Sequence, residues 1–200
     1  MFSGKIEDYI LFEDKEIIVC RKPAGIAVQN ARIGAMDLES SLKNYLAMQD
    51  GGGRRIPYLA VIHRLDQPVE GILVFGKTPE AAKSLSAQIT AGKMEKIYLA
   101  VTYGKQAEAG KKEKVLEDYL KKDGKSNTSS VVNAHTPGAK KARLSYEVLG
   151  EAVDAISGKK KWLLRIHLDT GRHHQIRVQM AHAGMPLAGD RKYGAGTDRK

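Results

Sequence analysis

Between Tyr58 and Phe75 the sequence turns from apolar to polar and back. Tyr58-Leu59-Ala60-Val61-Ile62 leads into His63-Arg64-Leu65-Asp66-Gln67-Pro68-Val69-Glu70-Gly71, and Ile72-Leu73-Val74-Phe75 follows. Short apolar runs rich in branched residues and bounded by turn formers are the pattern of buried strands. The chain is thereby constrained to a strand, a polar loop and a second strand, with Arg64 and Asp66 two positions apart in a loop closed by Pro68 and Gly71. Loops carried on a rigid scaffold are where reactive groups collect. A carboxylate beside two buried strands is costly without a partner. Asp66 is therefore either a solvated turn cap or a group held for chemistry.

The same punctuation recurs along the chain. Strands are expected at residues 9–12, 16–20 and 26–28, with Glu13-Asp14-Lys15 and Lys22-Pro23-Ala24-Gly25 as turns. Asp37 is expected to cap a helix whose apolar stripe is Leu38, Leu42, Tyr45 and Leu46. Thr78 with Pro79 starts a second, with Ala82, Leu85 and Ile89 inward and Gly92 at its end. Gly51-Gly52-Gly53-Arg54-Arg55 lacks the Gly-Lys-Ser/Thr ending of a phosphate loop and reads as a flexible basic hinge. Residues 95–103 read as a strand, and residues 105–138 as a loose Lys-rich excursion with one or two short strands. Ala142, Leu144, Tyr146 and Val148 alternate, residues 162–168 form another strand, and Ile176, Met180 and Ala183 share a face of a last helix. Strands outnumber helices without strict alternation. The fold class expected is α+β, a mixed, largely antiparallel sheet with flanking helices.

Composition narrows the function. Two hundred residues suit one domain or two small lobes sharing a core, and 42% hydrophobic with 28% charged residues is globular. A formal net charge of +10 points to a polyanionic partner, although runs such as Lys111-Lys112 and Lys159-Lys160-Lys161 also suit solvated faces. The single cysteine, Cys20, excludes an internal disulfide, fits a reducing compartment and reads as a small core residue. No stretch approaches the roughly 20 apolar residues of a membrane span, and no signal peptide is read at the start, so a cytoplasmic protein is expected. His167, His173, His174 and His182 lack the spacing that puts two ligands on one helix face, so no metal is expected.

Three further segments bear on Asp66: Lys96-Ile97-Tyr98, Thr170-Gly171-Arg172-His173-His174-Gln175-Ile176-Arg177, and Gly189-Asp190-Arg191-Lys192-Tyr193-Gly194. With His63-Arg64-Leu65-Asp66, Gly71 and the lead-in Arg21-Lys22-Pro23-Ala24-Gly25, this order resembles the RluA-type family of RNA pseudouridine synthases, from about Ile10 to Gly194. The resemblance implies isomerisation of a uridine in structured ribosomal or transfer RNA, without cofactor. It implies Asp66, Tyr98 and Arg177 as catalytic residues: Asp66 the reacting carboxylate, Tyr98 packed on the base, Arg177 holding and aiming Asp66. Substrate binding falls to His63, Arg64, Arg172, His174 and Gln175, with Arg64 filling the gap left by an extruded base and His63 ordering the loop. One catalytic domain over residues 1–200, as two sub-lobes around a central cleft, is expected to act as a monomer without an added RNA-binding domain. The chain departs from the family pattern at Val69 and Glu70, where Thr and Ser are usual, and at His173, Gln179 and Met185; relatives also generally continue past Gly194. Two other classes stay open: a base-excising glycosidase using Asp66 with Glu70, and an RNA-binding module without chemistry.

Overall fold

In a computed structural model of the chain, residues 3–30, 36–51, 56–104, 113–155 and 157–194 are described. The glycine–arginine hinge at residues 52–55, Lys111-Lys112 and the start of the Lys-rich excursion at 105–112 lie outside them. The chain divides into two compact units, Met1–Met94 and Glu95–Lys200.

In the first unit a short 3-10 helix, Ile6–Tyr9, takes up the Tyr9 expected in a strand, and β1 (Ile10–Glu13) follows. Asp14 closes the turn to β2 (Ile17–Lys22), its Oδ1 accepting the N–H groups of Glu16 and Ile17 at 2.7 Å each. Residues 26–28, expected as a strand, form none. Instead the carbonyls of Ala27 and Val28 accept the N–H groups of Leu38 and Glu39 at 3.0 and 3.1 Å. Those donors open α1 (Leu38–Gln49) and have no acceptor within the helix. Asp37 caps it as expected, Oδ1 accepting from Ser40 and Oδ2 from Asn30, both at 2.7 Å. Leu38, Leu42 and Leu46 bury against Ile18, Cys20, Leu73 and Phe75 in one cluster. Each full burial of such a side chain stabilises by about 1.5–3 kcal/mol. Burial also pushes the Cys20 thiol up to about 12, so the thiol is protonated and inert at neutral pH.

β3 (Ala60–Val61) and β4 (Gly71–Gly76) complete an antiparallel sheet in the order β1-β2-β4-β3. β4 runs beside β2 from Ile17↔Gly76 to Lys22↔Gly71. α2 (Pro79–Thr90) is capped by Thr78 Oγ1, and its Ala82, Leu85 and Ile89 are half-buried.

The second unit carries β5 (Ile97–Tyr103), β6 (Lys114–Asp123), β7 (Thr128–Val132), β8 (Lys140–Val153) and β9 (Lys160–Leu168). Every ladder is antiparallel, in the order β5-β9-β8-β6-β7. The fold is α+β and antiparallel throughout the described ladders, with helices flanking, as the pattern predicted. The Lys-rich excursion is more ordered than expected: β6 is ten residues long and turns tightly into β7. Asp123 makes that turn, accepting from the Lys125 N–H at 2.9 Å and the Ser126 hydroxyl at 2.7 Å.

Tyr146, Trp162, Leu164, Ile166 and Met180 form the core of this unit, and Leu120, Ala142 and Val178 form a smaller cluster beside it. α3 (Gln175–His182) buries Gln175, Val178, Gln179 and Met180, whereas Ala183, expected on its inward face, is exposed past the helix end. The helix turns a polar pair inward because partners wait there. Gln179 donates to Asp118 Oδ2 at 2.8 Å and accepts from Gln175 at 2.9 Å.

Asp37→Ala removes an acceptor shared by the helix start and the Asn30 backbone. It is expected to destabilise by about 1–2 kcal/mol, read as a lower urea midpoint at unchanged slope.

Candidate active site

The loop between β3 and β4 is organised around an apolar anchor, Leu65. Leu65 packs against the core of the first unit. A Cβ at Gly71 would come 2.9 Å from Leu65 Cδ1, so this anchor needs a glycine where β4 begins. On either side of the anchor, Arg64 is exposed and Asp66 half-buried. His63 Nε2 accepts the Val74 N–H at 3.3 Å, a ladder donor that the two-residue β3 is too short to meet. That bond puts the proton of a neutral His63 ring on Nδ1. The Val69 N–H returns to the Asp66 carbonyl at 3.0 Å and closes the turn.

Below the loop is a residue that sequence reasoning missed. Lys22 is fully buried, and its ammonium donates to the carbonyls of Pro23 at 3.0 Å, Ile26 at 2.6 Å and Gln67 at 3.0 Å. The Gly25 N–H also reaches the Gln67 carbonyl at 2.8 Å, and Gln67 Nε2 returns to the Gly25 carbonyl at 3.0 Å. The lead-in turn and the Asp66 loop are thereby stitched together around one cation. Burial pushes the Lys22 pKa down, against the opposing pull of the Asp66 and Glu70 charges. A signal for it was present: Ile18, Cys20 and Lys22 alternate on one strand face, so the third had to be buried with the first two. Glu70 is exposed and lies 3.9 Å from Arg21.

The remaining candidates belong to the second unit. Tyr98, on the inward face of β5, packs half-buried against the core. The stretch from Thr170 to Arg177 is organised by Gln175, whose Oε1 accepts from the Thr170 hydroxyl at 2.8 Å and the Arg172 N–H at 2.9 Å. Its Nε2 donates to the Arg143 carbonyl at 3.0 Å and to Gln179. Gln175 is 3% exposed, so its amide works inside the protein, shaping the loop that carries Arg172. Arg172 Nε is tied to the Lys141 carbonyl at 2.8 Å.

His174 turns the chain into α3 at φ +54°. Its Nδ1 lies 2.7 Å from the Tyr193 hydroxyl, which also accepts the Ser129 N–H at 2.7 Å. The His173 ring stacks on His174 with centroids 3.7 Å apart and meets Ser129 and Asn127.

Arg177 is gripped side-on by Asp190, Nε to Oδ2 at 2.8 Å and Nη2 to Oδ1 at 2.7 Å. Burial pushes the Asp190 carboxyl up, but the Arg177 bonds and the Lys192 and Tyr193 N–H groups outweigh it and hold it below the usual carboxylate range. Its side chain is 4% exposed. A two-point grip of this kind sets the plane of a guanidinium as well as its position, and the Tyr193 ring lies 5.0 Å from the guanidinium carbon. The structure thus places His63, Arg64 and Asp66 on one loop of the first unit. It places Tyr98, Arg172, His174, Gln175 and Arg177 in the second. Asp190 and Tyr193 join the latter as supports for which the closing motif was the only sequence signal.

Residues 16–182 match the model of the family described as RNA pseudouridylate synthase. A ribosomal large subunit pseudouridine synthase D of Xylella fastidiosa is 33% identical over 192 residues, 92% of this chain and 51% of the relative. A tRNA pseudouridine synthase C of Haemophilus ducreyi is 33% identical over 189 residues, 92% of this chain and 73% of the relative. Human RNA pseudouridylate synthase domain containing 1 is a structural neighbour with a TM-score of 0.76 at 20% identity, covering 100% of this chain and 75% of that one. The chain spans about half the length of relatives such as the Xylella protein.

Lys22→Met leaves the Ile26 carbonyl buried without a donor and unties the turn from the Asp66 loop. It is expected to cost roughly 2 kcal/mol or more in urea unfolding. The pH dependence has a definite sign. With the folded pKa of Lys22 below its usual 10.5, the unfolded chain binds more protons between the two values. Stability from this group therefore rises with pH across that window. The rise should be missing from Lys22→Met when the two proteins are compared at stepped alkaline pH.

Proposed function

We propose that this chain, which belongs to the RNA pseudouridylate synthase family, converts a uridine of structured RNA to pseudouridine with Asp66 as the reacting carboxylate. The observation that carries the reading is the construction around Asp66. An apolar anchor, its glycine clearance and a triply bonded buried ammonium together hold one carboxylate half out of water. Such effort over a loop side chain suits a group that must meet a reacting atom in fixed geometry. The relatives' names favour ribosomal or transfer RNA as the substrate class, and the charge of +10 suits either.

The reaction is an isomerisation and balances within the nucleotide. The bond between N1 of uracil and C1′ of ribose breaks, the base turns, and a bond forms between C5 and C1′. The proton leaving C5 is matched by one gained at N1, and nothing is oxidised. Asp66 either attacks the nucleotide or draws off a sugar proton, holding the intermediate without leaving in the product. Tyr98 packs on the base and assists the proton at C5. The resemblance gives Arg177, whose guanidinium plane Asp190 sets, the part of cationic partner to the reacting carboxylate. Arg64, exposed one residue from the anchor, stacks where the extruded base had been. His63, Gln175 and His174 keep the two loops in shape. Excision of the base would call for a second carboxylate, and Glu70 instead faces Arg21 from an exposed position.

The reading is tested by mapping pseudouridine in RNA from cells with and without the protein, then repeating the conversion in vitro. Asp66→Asn is expected to abolish product while RNA affinity and fold persist. Turnover within about tenfold of wild type, roughly 1.4 kcal/mol of barrier, would remove Asp66 from the reaction. Free uracil as product would identify a glycosidase, and binding without any product an RNA-binding module. Arg64→Ala is expected to slow conversion of a structured stem-loop far more than of a short unpaired strand, which has little stacking to lose. Equal losses on both in single-turnover rates would reduce Arg64 to a phosphate contact.

A further inference from the structure

Lys22 is drawn fully out of water and Lys96 partly, and they are treated in opposite ways. Lys22 has a carbonyl for each of its three donors. Lys96 is half-buried, yet among the described residues no hydrogen bond or ion pair reaches its ammonium. An ammonium that loses part of its water and gains no protein acceptor in exchange is a net cost to the fold. A chain that can build the Lys22 nest leaves Lys96 open for a group from outside.

We infer that Lys96 is a phosphate-binding residue, forming with Arg172 a subsite for a backbone phosphate of the RNA strand beside the target uridine. The inference rests on the uridine-isomerising reading and names the part of the substrate that this end of β5 holds. Three observations support it. The Lys96 carbonyl accepts the Leu168 N–H at 2.9 Å, which continues the β5–β9 ladder one residue beyond Ile97. Strand alternation then puts Lys96 on the face of Tyr98 and Ala100, about 6.6 Å along the strand from Tyr98. A base packed on Tyr98 has its own sugar–phosphate within reach of that distance. Next, the ammonium comes up against the turn that carries Arg172: a Cβ at Gly171 would be 4.0 Å from Nζ. Finally, the neighbouring carboxylate is already engaged. Asp169 is bonded to Arg143 and lies 3.8 Å from His167. Burial pushes the Lys96 pKa down, Asp169 pulls against it, and the Arg172 charge adds to the fall. Two cations held together with too little counter-charge attract an anion, and a bound phosphodiester relieves both the repulsion and the missing bonds of Lys96.

The test uses the full chain and the RNA fragment in which it forms pseudouridine. Phosphates of that RNA are sparsely ethylated, converted and unconverted molecules are separated after a single turnover, and the blocking positions are read. With wild type, ethylation at the target nucleotide or its immediate neighbour is expected to block conversion. With Lys96→Met that position should stop blocking, and subsaturating rates should fall about tenfold, as for loss of one charge-assisted bond. Lys96→Arg should recover most of the rate. Lys96→Met without RNA should unfold no earlier than wild type, because it removes an unpaired charge. A map without a blocking phosphate near the target, or one that Lys96→Met leaves unchanged, overturns the subsite. So does a loss of rate that comes with lowered stability and is not recovered by Lys96→Arg. If wild type forms no pseudouridine in any RNA, the functional reading fails first, and the subsite falls with it.

Discussion

An ammonium deprived of water must be given oxygen atoms in its place, and that requirement shapes the first unit around Lys22. Its three donors draw in carbonyls from Pro23, Ile26 and Gln67. The chain on either side of Lys22 is thereby bent into a tight turn, and the loop bearing Asp66 is drawn onto that turn although it lies some 45 residues away in sequence. Such a centre is all-or-nothing: with every donor met it rigidifies its surroundings, and with one carbonyl displaced it becomes a buried defect. The loop inherits the stiffness of the sheet below it.

The second unit reaches the same end with neutral amides and one ion pair. Gln175 holds together the turn before α3, and Asp190 fixes the plane of Arg177. Both are buried polar groups with full sets of partners, which interiors tolerate and which confer a single geometry. Side chains that look like ligand contacts by position thus divide into two kinds. Some face outward, such as Arg64. Others, such as Gln175, hold their neighbours in place.

Much of this was legible beforehand where one residue type has one local use. Asp37 and Thr78 announced their helices because a short acceptor before an amphipathic run meets donors that nothing else can meet. The motif loop was legible because apolar runs flank it. Other features were hidden by the same reasoning. β6 read as loose chain because charged residues outnumber apolar ones along it, while its inward Leu116 and Leu120 were too sparse to stand out. The inward face of α3 was only partly found: Ile176 and Met180 do pack on the core, but its two glutamines count as polar in any hydrophobic period, although each is satisfied by partners far off in the sequence. Residues 26–28 have strand-like side chains, but their carbonyls were needed by a helix start. What stayed hidden depended on partners brought close only by folding.

The loop anchor has an evolutionary corollary. Leu65 and Gly71 meet at the two ends of the Asp66 loop, and Gln67 is fastened from below. Pro68 and Glu70 lie exposed between these fixed points, with Val69 half-buried. Substitutions there alter the exposed rim of the loop while the carboxylate stays registered to the sheet. Val69 and Glu70 fall within that permissive interval. The architecture separates a part of the loop that must not drift from a part that can, so the exposed rim can change composition without loosening the Asp66 backbone.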